Sequence, residues 1–189
     1  SEPSPIFHAE VFDGTIYDIS RKGCDFDAAT ANELVSTSAK KYSAWGSMDF
    51  LASGSSPMYT TLGYGDSALN GGAGDMTADF WFKTSLSGTP TGHIFSHRAI
   101  DTSYAHGGGW IIYVSGSKIW TYLGGEDIGD ATSGVDYTAS SDGWNFARLV
   151  RSGSTVTISV NGSVVGTTTA SADLNGGSNY ALGIGHHPA

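Results

Sequence analysis

Residues 76–85 set the pattern from which the rest of the chain is read. Met76, Ala78, Phe80 and Phe82 alternate with Thr77, Asp79, Trp81 and Lys83. Side chains along a strand point to opposite faces with period two, so one face of this stretch is apolar throughout. Gly71, Gly72 and Gly74 precede it, and Ser87, Gly88 and Pro90 follow. The run is therefore too short and too sharply bounded for a typical helix, and it is expected to be a central strand of a β-sandwich.

The same reading places strands at 6–12, with Asp13-Gly14 as its turn, at 45–51, 59–64 and 92–97, and at 180–184 after the turn Asn175-Gly176-Gly177. Residues 110–114 and 118–123 form a hairpin around Ser115-Gly116-Ser117, a short loop containing glycine. Residues 144–151, 155–160 and 163–169 form a three-strand meander whose second turn, Asn161-Gly162, is the strongest short hairpin signal a sequence offers. One short helix is expected, at 28–34, and long loops at 65–74, 98–109 and 124–141. Strands do not alternate with helices and no repeat is present, so the fold class is all-β, a two-sheet antiparallel β-sandwich.

Composition narrows the picture. The 189 residues suit one sandwich domain, 1–189, with residues 1–5 as a polar N-terminal arm. A domain of this size buries roughly 70% of its unfolded surface, enough for a core without metals or disulfides. Charged residues make up 14% and there are 27 Gly, which suits short strands and tight turns. A net charge of −9 with nine Lys and Arg in total argues against nucleic acid as a partner, which needs clustered cations. Cys24 stands alone, which excludes an internal disulfide and a multi-cysteine zinc site. No apolar run is long enough to insert into a membrane.

A family resemblance emerges from motifs in sequence order. Phe12-Asp13-Gly14 is followed by Tyr42-Ser43-Ala44-Trp45-Gly46-Ser47-Met48-Asp49-Phe50, Asp79-Phe80-Trp81-Phe82-Lys83 and Ile94-Phe95-Ser96. Then come Gly109-Trp110-Ile111-Ile112-Tyr113, Asp142-Gly143-Trp144, Arg148-Leu149-Val150-Arg151-Ser152-Gly153, Val160-Asn161-Gly162 and Leu182-Gly183-Ile184-Gly185. From about residue 6 to 185 the chain resembles a laminin-G-like jelly roll, similar to the concanavalin A-like lectins and glucanases. The resemblance implies recognition or assembly in secreted, cell-surface or bacteriophage virion proteins, without naming a ligand, because function is carried by sites rather than folds. Members of the family usually continue past the Leu-Gly-Ile-Gly strand into a further strand. An edge left unfilled there would invite a strand from a neighbour; the alternative is a sequence simply cut at that point.

Catalysis is not expected. Glycoside hydrolysis needs two carboxylates about 5–10 Å apart across a cleft, and in the glucanase relatives these would stand as Glu-x-Asp-x-Glu. The four Glu here, Glu2, Glu10, Glu33 and Glu126, form no such array. Asp25 and Asp27 alternate outside any matching motif, and no Gly-x-Ser-x-Gly elbow is present.

Two kinds of site are expected instead. Carbohydrate recognition needs aromatic rings to stack on sugar C–H faces and polar groups to bond hydroxyls. In the hairpin Lys118, Trp120 and Tyr122 share one face, and Ile119, Thr121 and Leu123 the other. If the aliphatic face packs inward, Trp120 and Tyr122 line an outer surface, and with Trp110, Tyr104 and Asp101 near that end they make the best ligand patch. The alternative is that these rings form the core of the second sheet. Glu126, Asp127 and Asp130, with Asp136 in the same loop, offer oxygen ligands to Ca²⁺, against the commoner outcome of a solvated acidic loop. Asp101 with His97 and His106, and the pair His186-His187, are weaker metal candidates.

The chain is accordingly expected to be a non-catalytic module that binds a glycan or surface partner in an extracellular or virion-surface assembly. The alternative is a purely structural subunit, such as a phage capsid-decoration or tail protein or a filament protomer, that associates with itself or with other virion proteins and has no sugar site.

Overall fold

Short runs of alternating or β-branched residues, punctuated by Gly and Asn turns, become strands throughout the computed structural model. It describes residues 9–12, 15–18, 35–36, 47–48, 58–59, 72–83, 91–99, 109–123, 126–128, 134–171, 173–174 and 180–184. In chain order the strands are β1 (Ala9–Phe12), β2 (Thr15–Asp18), β3 (Val35–Ser36), β4 (Ser47–Met48), β5 (Met58–Tyr59), β6 (Met76–Lys83) and β7 (Thr91–Ala99). They continue with β8 (Trp110–Ser115), β9 (Lys118–Leu123), β10 (Glu126–Ile128), β11 (Val135–Asp136), β12 (Trp144–Ser152), β13 (Thr155–Val160), β14 (Ser163–Thr169) and β15 (Tyr180–Ile184).

All pairings are antiparallel. One sheet has seven strands in the order β10-β9-β8-β7-β15-β5, with β11 also on β9, and the other has four in the order β14-β13-β12-β6. β1 with β2, and β3 with β4, form separate two-stranded pairs. The fold is an all-β sandwich, as the sequence pattern predicts. Strand β6 stands at the end of the four-strand order, so the strands with described neighbours on both sides are β12 and β13 rather than β6. Strand β12 pairs with β6 from Trp144↔Lys83 to Arg151↔Met76 and with β13 from Ala147↔Val160 to Ser152↔Thr155.

Both sheets contribute to one core. Phe82, Ala147, Leu149, Val156, Ile158 and Val160 come from the four-stranded sheet, and Trp110, Ile112, Val114, Ile119, Leu123 and Ile128 from the seven-stranded one. Tyr137, Ala170 and Leu174 complete it from the connections. The Tyr137 ring meets Phe82 edge-on with centroids 5.6 Å apart, and its hydroxyl donates to Gly116 O at 3.2 Å. Along one side of the sandwich β14 closes against β10. Gly166 lies under Ile128 there so closely that a Cβ would overlap Ile128 Cγ2, which is why only glycine fits. The ladder between β13 and β14 shifts at Ile158/Ser159, where a bulge inserts Val165.

Arg151 is the largest fully buried side chain among the described residues. A buried cation persists only when its donors are occupied. Here Nε donates to Gly153 O and an Nη to Gly72 O, each at 3.1 Å. Gly72 O also accepts from Leu174 N at 2.8 Å, and Asp75 Oδ1 accepts from Gly153 N. One end of the four-stranded sheet is thereby tied to the segment that leads into β6.

Two hairpins differ in how they turn. Asn161 and Gly162 both have positive φ, 52° and 82°, as a type I′ turn requires and as the Asn-Gly dipeptide predicts. The β8–β9 loop is two residues, Gly116 and Ser117, rather than three, because Ser115 pairs with Lys118. Residues 124–141, expected as a loop, contain the short strands β10 and β11, both paired with β9. The helix expected at 28–34 lies outside the described residues.

Candidate functional site

Alternation along β9 places the expected aromatic patch. Ile119, Thr121 and Leu123 are buried and Lys118, Trp120 and Tyr122 half-buried, so the aliphatic face does pack inward and the two rings face outward. Register decides Trp110: it pairs with Leu123, shares the inward face and is 7% exposed within the core. Its grouping with Trp120 and Tyr122 is therefore corrected, and the outward partners on β8 are Ile111 and Tyr113, which pair with Tyr122 and Trp120. The sheet's outer surface is partly covered at this point. Ile111 is buried, the Tyr113 and Trp120 rings lie 4.1 Å apart, and Gly134 sits so close that a Cβ there would come within 2.6 Å of Trp120 Cε3. Trp120 is thus largely a packing residue.

Tyr104 and Asp101 lie outside the described residues. So does Asp130 of the expected Ca²⁺ set, while Glu126 and Asp127 belong to β10 and pair in backbone register with Leu123 and Tyr122. Asp136 pairs with Lys118 at 3.1 Å. Among the described residues no group of three His, Cys, Asp or Glu side chains is arranged to hold a metal ion.

A more open aromatic surface lies on the outer face of the other sheet. On β6 and β12 the outward positions are matched rung by rung: Trp144 with Lys83, Phe146 with Trp81, and Arg148 with Asp79. Trp81 is 41% exposed, and its ring tilts against Phe146 with centroids 5.2 Å apart. On the next rung Arg148 donates to Asp79 Oδ2 at 2.7 Å and lies 5.6 Å from the Phe146 ring centroid. Cross-strand aromatic and ionic pairs of this kind are the ordinary stabilising units of a sheet surface. Trp81 and Phe146 also line an open groove, together with Ser140, Ser141 and Asp142 from the loop before β12 and Asn161 and Gly162 from the β13–β14 turn.

The groove is held in shape by two asparagines, Asn145 buried and Asn161 in its lining. Asn145, 1% exposed, accepts on Oδ1 from Ser140 N at 2.9 Å and from Asn161 Nδ2 at 3.0 Å, and donates from Nδ2 to Gly143 O at 3.1 Å. Asn161 accepts on Oδ1 from Phe146 N and donates from Nδ2 to Thr138 O as well. Asp142 Oδ1 accepts from Trp144 N at 3.0 Å, an Asx turn that orients the carboxylate. Gly143, at φ 78°, completes the turn by donating from its N to Ser140 O. The result is a tilted aromatic pair beside hydroxyls and one oriented carboxylate, groups of the kind that stack on sugar C–H faces and bond hydroxyls.

The family described as the concanavalin A-like lectin/glucanases superfamily matches residues 54–189, well over half the chain. The chain belongs to the concanavalin A-like lectin/glucanase superfamily. The resemblance read from the motifs is thereby borne out. Solved structures agree on the fold of this concanavalin A-like domain. The binding domain of botulinum neurotoxin DC in complex with SialylT superposes with a TM-score of 0.59 at 15% identity, over 96% of this chain and 43% of that one. The botulinum neurotoxin serotype D/C VPI 5993 binding domain gives 0.58 at 14% identity, over 96% and 43%. A structure of botulinum neurotoxin type C concerned with its interaction with two ganglioside molecules gives 0.56 at 14%, over 98% and 44%. The concanavalin A-like domain thus spans less than half the length of these structures. No curated protein matches it by sequence.

Trp81 was not singled out from the sequence, although the signal was present. In 76–83 the alternation puts it between Asp79 and Lys83 on the polar face, where a large aromatic ring is out of keeping with its neighbours.

Proposed function

We propose that the chain is a non-catalytic carbohydrate-recognition module of an extracellular or surface assembly, and that its glycan site is the groove over Trp81 and Phe146. The observation that carries this reading is Trp81 itself, a large apolar side chain 41% exposed beside a polar-lined depression. A sugar covers such a ring with C–H groups and directs its hydroxyls at the flanking polar atoms. The sialyl and ganglioside partners named for the neighbouring neurotoxin structures support a glycan as the class of ligand. The carboxylate lining the groove is Asp142, whereas glycoside hydrolysis calls for two set about 5–10 Å apart, which favours binding over cleavage.

The test is binding of the intact chain to immobilised oligosaccharides, comparing Trp81→Ala with Trp120→Ala. Trp81→Ala is expected to abolish binding with little change in Tm, and Trp120→Ala to retain binding while lowering Tm. Unchanged binding by Trp81→Ala would overturn the assignment. Loss of binding in Trp120→Ala at an unaltered Tm would move the site to the opposite sheet.

A structural-subunit reading is favoured by one observation, Val164, which is 64% exposed on the strand that ends the four-strand order. Exposed apolar edge strands recruit further strands. Light scattering of the wild type against Val164→Lys tests it: an oligomer that dissociates in the variant supports assembly, and a monomeric wild type rejects it.

A further inference from the structure

We infer that the glycan seated over Trp81 is a chain rather than a single sugar, and that it runs along β6 and β12 so that the unit adjoining the stacked one is bonded by the Arg148–Asp79 pair; the inference rests on reading the groove as the glycan site. The direction follows from where the groove is walled. Apart from Trp81 and Phe146, its lining comes from residues 140–142 of the loop before β12 and from residues 161–162 of the β13–β14 turn. That loop enters β12 at Trp144, on one side of the Trp81–Phe146 rung. On the other side along the strands the next outward rung is Asp79 with Arg148, continued on β13 by Ser159. Same-face rungs two residues apart lie roughly 7 Å from one another along a strand, within reach of the sugar unit next to a stacked one.

The chemistry of that rung suits a sugar. Arg148 Nη2 donates to Asp79 Oδ2 at 2.7 Å, and the two side chains remain 52% and 43% exposed. A guanidinium only donates hydrogen bonds and a carboxylate only accepts them, each with more capacity than one bond uses. Side by side they present a donor and an acceptor to neighbouring hydroxyls of one ring, and a hydroxyl can answer either. Bonds to charged partners of this kind are roughly twice as strong as neutral ones. The pair is also held in position: each partner fixes the other, and Arg148 lies 5.6 Å from the Phe146 ring centroid, so little ordering is left to be done when a ligand arrives. Ser159 adds a hydroxyl to the same rung.

The experiment titrates the full chain with cellohexaose, maltohexaose and mannohexaose and with the methyl glycosides of glucose and mannose, for wild type, Arg148→Met, Asp79→Ala and Trp81→Ala. Met at 148 keeps an unbranched stem against Phe146 while removing the donors. Exposed ion pairs contribute little to stability, so both ion-pair variants are expected to fold with a Tm near that of the wild type. At least one hexasaccharide should bind well above its methyl glycoside. Arg148→Met and Asp79→Ala should each weaken that hexasaccharide by about tenfold, as expected for a lost bond to a charged group, and leave the methyl glycoside unchanged; Trp81→Ala should abolish both. A pair that only stabilises the sheet would leave this chain-length difference intact. Hexasaccharide binding unaltered in both ion-pair variants, yet lost in Trp81→Ala, overturns the inference and leaves the glycan site standing. The inference is likewise overturned if the two ligands weaken equally, which would make the pair a support for the aromatic rings, or if the hexasaccharide gains no more than its larger number of equivalent units provides. Failure of every saccharide to bind overturns both the inference and the function on which it rests.

Discussion

Asn161 Nδ2 donates to Asn145 Oδ1 at 3.0 Å, so an exposed hairpin turn and the buried end of a central strand hold one another. The turn owes its conformation to the Asn-Gly dipeptide, but its position over the sheet comes from this bond and from the exchange between Asn161 and Phe146, in which Asn161 N donates to Phe146 O at 2.8 Å and Phe146 N to Asn161 Oδ1 at 3.0 Å. Removing one member should therefore loosen both the loop before β12 and the groove.

For Asn145→Ala we expect a loss of about 2–3 kcal/mol, since Ser140 N, Gly143 O and Asn161 Nδ2 each lose a partner at a largely buried site. Urea denaturation should show a lower midpoint with an unchanged m-value. A shift below about 0.5 kcal/mol would show that water or neighbouring groups replace the bonds at little cost.

Thr121 should behave in the opposite sense. Its Oγ1 is fully buried on the inward face of β9, where its register partners are Ile112 and Ile128, and it has no hydrogen-bond partner. Replacing that hydroxyl by a methyl in Thr121→Val is expected to raise stability by about 1 kcal/mol, read as a higher Tm. A destabilised variant would point to a bonded hydroxyl in solution.

Gly166→Ala is expected to destabilise by about 1–3 kcal/mol, the usual range for overpacking a well-filled core, because the new Cβ meets Ile128 Cγ2. Ile128→Leu removes that branch methyl. The two changes together should cost less than the sum of the single variants, and simple additivity would show that Ile128 is not what obstructs position 166.

Much of the fold was legible because several strands carry their own signal. The alternation in 76–83, the aliphatic face of 118–123 and the Asn-Gly turn between 155–160 and 163–169 each settle a strand locally, and the structure has them at those positions. Strands β10 and β11 were read as loop because three and two residues are too few to display a period. The facing of Trp110 was not legible for a different reason. Trp-Ile-Ile-Tyr-Val is apolar at every position, so only its register against Leu123 chooses a side. The groove combined both situations. Its aromatic member stood out on a polar face within one strand, but its other lining residues come from β12 and two turns that no local pattern brings together.

The β6–β12 ladder has a thermodynamic consequence. Trp81 enters from a strand that precedes β7 to β11, while Phe146 and Asn161 follow them, so the groove exists only when pairing distant in sequence is complete. A ligand seated there binds the folded chain and not the unfolded one, and at a hundred times its Kd would add about 2.7 kcal/mol to the unfolding free energy. Protection of the β6 and β12 amides against hydrogen exchange would then rise with saccharide concentration, making the strands that build the site reporters of its occupancy.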